Sequence, residues 1–113
     1  MVKLPDSVLT NIFTLQLQIV ECIDATTATE FRILEQQGET SETLPELEEL
    51  QSIRERLLSP YSRFHVLLLR AAESQPVATS DVLNLLYRSI DAAEATLDAS
   101  IASLQEIQRN WND

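Results

Sequence analysis

The chain has 113 residues, which is one domain's worth. Eight Lys and Arg against eighteen Asp and Glu leave a formal charge of −10, a surface that repels phosphate, so nucleic acid and anionic membranes are not expected partners. One Gly and four Pro cannot supply the turns that hairpins, barrels and sandwiches need, and the expected fold class is all-α.

The opening MVKLPDSV has no apolar run of the kind a secretory signal carries, and no stretch approaches the roughly 20 apolar residues that cross a bilayer. The expected location is the cytoplasm. Asp6 or Ser7 can cap a first helix that starts near Val8. Leu9, Ile12, Leu15 or Gln16, Ile19, Ile23, Phe31 and Leu34 then trace an apolar stripe, broken by Thr26 and Thr27, that runs to Gln37. Cys22, the only cysteine, lies between Val20 and Ile23 and reads as a small buried apolar residue; alone, it can form neither an internal disulfide nor a thiolate zinc site. Gly38 stands where a left-handed C-terminal cap is wanted, so the predicted helix is 8–37.

Thr43 can cap a second helix over 44–73, with Pro45 in its first turn and Glu46, Glu48 and Glu49 at its positive end. Heptad counting gives Leu47, Leu50, Arg54, Leu57, Tyr61, Phe64, Leu68 and Ala71 as the inner seam, a register that passes through Pro60 without a slip. The helix is expected to be kinked at Pro60, or split there with Ser59 capping a new one. Arg54 on the seam calls for a carboxylate, and Glu21 or a carboxylate of the third helix is the expected partner.

Ser74, Gln75 and Pro76 end the second helix, and Thr79 or Ser80 opens a third over 80–110. Its apolar face is Leu83, Leu86, Ile90, Ala93, Leu97, Ile101, Leu104 and Trp111, with Trp111 expected to clamp the last turn. Three long helices joined by short polar links predict one antiparallel up-down-up bundle.

The apolar residues exceed what such a bundle needs, about three of every seven helix positions, where the start of helix one meets the end of helix two and the start of helix three. Phe13, Leu17, Val20, Val66, Leu69, Leu85 and Tyr87 are the surplus and the expected partner or dimer interface. A second copy, an apolar helix or a basic surface of another protein are the candidate partners. Asp91, Glu94 and Asp98 share an outward face of helix three and form a solvated acidic strip or a docking strip for a basic partner; no histidine joins them at the Glu-x-x-His spacing of a di-metal bundle, so no metal site is expected.

No Gly-rich loop or Ser/His/Asp set can be built with a single Gly, so neither catalytic residues nor a cofactor are expected. The expected function is a small acidic interaction module: an adaptor, assembly factor or chaperone-like protein. The alternative is histidine phosphotransfer through His65, the only histidine. Arg63 and Arg70 could supply charge there, but Leu69 stands four residues on, where a small residue would let an active site approach.

Overall fold

The computed structural model describes residues 5–73 and 80–111. Among these are three helices and no strand: α1 (Asp6–Gln37), α2 (Leu44–Glu73) and α3 (Ser80–Trp111), each packed against both others. The rod they form measures 57 × 18 × 18 Å. A helix of 32 residues is about 48 Å long, so each element runs nearly its full length. Ser74, Gln75, Pro76 and Thr79, expected to stop α2 and open α3, lie outside the described residues.

One row of side chains on α1 is buried: Val8, Ile12, Leu15, Ile19, Cys22, Thr26, Thr29 and Ile33. The steps alternate between four and three residues without a break, which is how a helix keeps one face turned to its partners over many turns. This corrects the expected stripe. Phe31 and Leu34 lie on the outside, and the two smaller threonines take the inner positions. Their hydroxyls cost little there. Thr26 Oγ1 donates to the Ile23 carbonyl at 2.7 Å and Thr29 Oγ1 to the Ala25 carbonyl at 2.9 Å, so neither is left unpaired.

The first helix starts at Asp6 after Pro5, and neither Asp6 nor Ser7 caps it through a side chain. Gly38 ends it as expected, with φ +73° and its amide donating to the Leu34 carbonyl at 3.0 Å. The cap of α2 differs from expectation. Thr40, not Thr43, receives the amides: its hydroxyl accepts from the Glu42 and Thr43 N–H groups, and the Thr43 hydroxyl accepts in return from the Thr40 N–H at 2.8 Å. The reciprocal pair is a capping box with threonine in the glutamate position. Thr43 Oγ1 also donates to the Gly38 carbonyl at 2.8 Å, which stitches the end of α1 to the start of α2.

The second helix continues through Pro60 as one element, so it is not split with Ser59 as a new cap. Its buried row is Leu47, Leu50, Ile53, Leu57, Phe64, Leu67 and Ala71, while Tyr61 and Leu68 of the expected seam sit at its margin. In α3, Ser89, Ser100 and Ile107 join Val82, Leu86, Ile90, Ala93, Leu97 and Leu104 inside. Ile101 turns outward, Leu83 is half-buried, and Trp111 packs against the core from the last turn.

Candidate functional site

An ion pair joins α1 to α2: Arg54 Nη2 donates to Glu30 Oε2 at 3.1 Å. Neither expected partner, Glu21 or a carboxylate of α3, takes that place; Glu21 lines the groove between α1 and α3 with Gln18, Cys22, Ala25 and Ile101. Counting back from Glu30 in sevens gives Ile23, Gln16 and Leu9, all half-buried, and this row is the margin of α1 against α2. The positions four residues beyond each member of that row turn away from the core on the α2 side, and the positions one beyond lie opposite the core, next to them.

Those positions hold Thr10, Phe13, Leu17, Val20, Asp24, Thr27, Phe31 and Leu34. The five apolar members are between 42% and 65% exposed. The spacing is again four and three, so α1 carries two heptad rows, one buried and one outside. On α2 the matching margin runs through Arg54, Tyr61 and Leu68. Leu58, four residues beyond Arg54, and Leu69, one beyond Leu68, extend the same outer face; Leu58, Tyr61 and Leu69 are 37–54% exposed. His65, also exposed, lies in the same row as Leu58.

The seven residues singled out from the sequence therefore divide. Phe13, Leu17, Val20 and Leu69 share the α1–α2 face. Val66 and the half-buried Leu85 lie apart, in a groove between α2 and α3 with Ser62, Arg63, Leu67 and Arg70. Tyr87 is on the side of α3 that meets α1, fourteen residues from Ile101 in the same row. Exposed apolar residues also extend past the expected end, since among the described residues Phe31 is the most exposed large hydrophobic residue and Leu34 and Leu44 accompany it. Large apolar types alone suggested that Phe31 and Leu34 were core; carrying the Ile12–Leu15–Ile19 phase onward shows the second row.

Asp91, Glu94 and Asp98 are exposed on α3, and among the described residues no three His, Cys, Asp or Glu side chains cluster as a metal-binding group. No helix of the described residues is long and apolar enough to cross a membrane. Cys22 is buried, and burial pushes its thiol pKa up, away from the reactive thiolate. Arg54 Nη1, Ser89 Oγ and Trp111 Nε1 are buried without a hydrogen-bond partner, each on a different part of the bundle.

No protein-family model, curated protein or solved structure matches the chain, so the surface is read from its chemistry alone.

Proposed function

We propose that the chain is a cytoplasmic protein–protein interaction module, an adaptor, assembly factor or chaperone-like protein, that docks an apolar helical element across the α1–α2 face. The observation that carries this reading is the outer row of α1, Phe13, Leu17, Val20, Phe31 and Leu34, in coiled-coil spacing on a side the core does not use. In a chain of charge −10, leaving large side chains in water along a whole helix has no benefit for folding or solubility.

The helices run up-down-up in this reading. Six residues, 38–43, link α1 to α2, too few to return to the far end of a helix about 48 Å long. Contacts of Glu30 with Arg54 and of Thr29 with Gln108 support this, since they join the last third of α1 to the first half of α2 and to the last turns of α3. Pro60 bends α2, because its ring removes an amide from the helical ladder and crowds the preceding turn. Asp91, Glu94 and Asp98 remain a solvated face that keeps α3 clear of the docking surface.

Photo-crosslinking in the cell tests the reading. A benzophenone amino acid in place of Leu17 should give covalent adducts, and the same group in place of Glu94 should give none. Adducts from position 94 with none from position 17 would overturn it.

A second reading, phosphotransfer through His65, is favoured by the exposure of that imidazole. Incubation with phosphoramidate followed by mass spectrometry tests it: phosphate on His65 supports it, and an unmodified His65 removes it.

A further inference from the structure

We infer that the occupant of the α1–α2 face is a second copy of this chain, related by a two-fold axis, so that the same two outer rows meet each other. The inference rests on the docking reading above and names its partner.

Area is the first argument. The apolar side chains of the two rows leave on the order of 600 Å² per copy in water, taking an aromatic at about 200 Å² and an aliphatic at about 100 Å² when whole. A standard interface buries about 800 Å² per partner, the remainder being polar rim, so two such faces closing on each other reach the size of a stable dimer. A lone patch of this size is at or above the largest an ordinary monomer shows, about 300–600 Å².

Charge is the second. The chain carries −10, and two copies repel wherever carboxylates line the contact. Along the outer row of α1 from Phe13 to Leu34 there is one carboxylate, Asp24, and along the matching positions of α2, Glu55, Leu58, Ser62, His65 and Leu69, there is one more, Glu55. Most acidic side chains cluster elsewhere, as at Asp91, Glu94 and Asp98 and near the start of α2. A face poor in charge on a strongly acidic chain is one that another acidic chain can approach, whereas a basic partner would gain more from the α3 strip. An isologous contact also needs no second protein to seal both rows.

Light scattering across a wide concentration range, at low and at high salt, tests the inference on the full chain. The expected mass is twice 12.8 kDa, with association tightening as salt rises, because screening weakens the repulsion between two like-charged copies. Leu17→Gln with Phe31→Gln should raise the dissociation constant about 100-fold or more while leaving the circular dichroism unchanged, since both side chains are exposed and two interface anchors are lost. A monomer at every concentration and salt overturns the second copy. If position 17 then crosslinks to a protein of another mass, the docking reading survives; if it crosslinks to nothing, both fall. A dimer indifferent to the double variant but broken by Val66→Gln or Tyr87→Gln overturns the placement on this face.

Discussion

Helices α1 and α3 have the same length, 32 residues, and each turns one heptad row inward. Outside they differ. Beyond its core row, α3 shows Asp91, Glu94, Asp98 and several alanines to water, with Tyr87 and Ile101 exposed singly and separated by Glu94 rather than in a continuous apolar row. Across the same length α1 shows Phe13, Leu17, Val20, Phe31 and Leu34. Packing against two neighbours therefore does not require the outer row, because α3 packs equally without one. What the comparison separates is apolar content that folds the chain from apolar content that is free to serve another purpose.

The sharpest way to break the comparison is to charge two residues of α1 that are two positions apart. Ile19 is fully buried and Leu17 is 59% exposed. Ile19→Asp places an unpaired carboxylate among apolar side chains and should cost about 4 kcal/mol or more, enough to unfold a domain of this size. Leu17→Asp should change the folding free energy of dilute protein by about 0.5 kcal/mol or less. Urea unfolding followed by circular dichroism reads both, and equal losses would mean that the two rows of α1 are not distinct.

A smaller effect is expected at the pair that sets the margin between the two rows. Glu30→Gln removes the charge facing Arg54, whose Nη1 is already buried without a partner, and should cost about 1–2 kcal/mol in the same measurement. Arg54→Met should recover most of that loss in the Glu30→Gln background, because no buried cation then remains unmatched. No recovery would show that the pair contributes little to the α1–α2 contact.

How much of this was legible in the sequence depended on which signal was followed. Gly38 marked the end of α1 because a left-handed residue is needed there, and backbone geometry leaves little choice of residue. The inner row was legible up to Cys22 and lost after it, because Phe31 and Leu34 look more like core than Thr26 and Thr29 do. Helical phase outweighs residue type: once Ile12, Leu15 and Ile19 face inward, Thr26, Thr29 and Ile33 must follow. The Glu30–Arg54 pair was missed in identity though not in kind, since the register between two helices is a tertiary fact that periodicity within one helix does not contain. For the same reason the seven interface candidates, chosen as one end of a bundle, divide among different sides of it.

Thr26→Val sharpens the phase argument with a modest gain. Its hydroxyl donates to the Ile23 carbonyl, which keeps the helical bond from the residue four positions on, so removing the donor orphans nothing. A methyl in the hydroxyl's place, in a fully buried position, should stabilise the fold by about 0.5–1 kcal/mol, visible as a higher Tm. A loss instead would mean that the hydroxyl holds the helix in its observed curvature and that the polar inner positions of α1 are required rather than tolerated.

The smallest expected effect belongs to α3. Asp98 follows Glu94 by four residues on an exposed face, a like-charge spacing that costs a helix about 0.2–0.5 kcal/mol, and alanine is the better helix former. Asp98→Ala should leave Tm unchanged or raise it slightly, within about 0.5 kcal/mol of stability. It should also leave the mass in solution as it was, because the acidic strip is remote from the α1–α2 face. Were Asp98→Ala to abolish association while Leu17→Gln with Phe31→Gln did not, the roles of the two helices would be exchanged: α3 would carry the docking surface by charge, and the outer row of α1 would be spare.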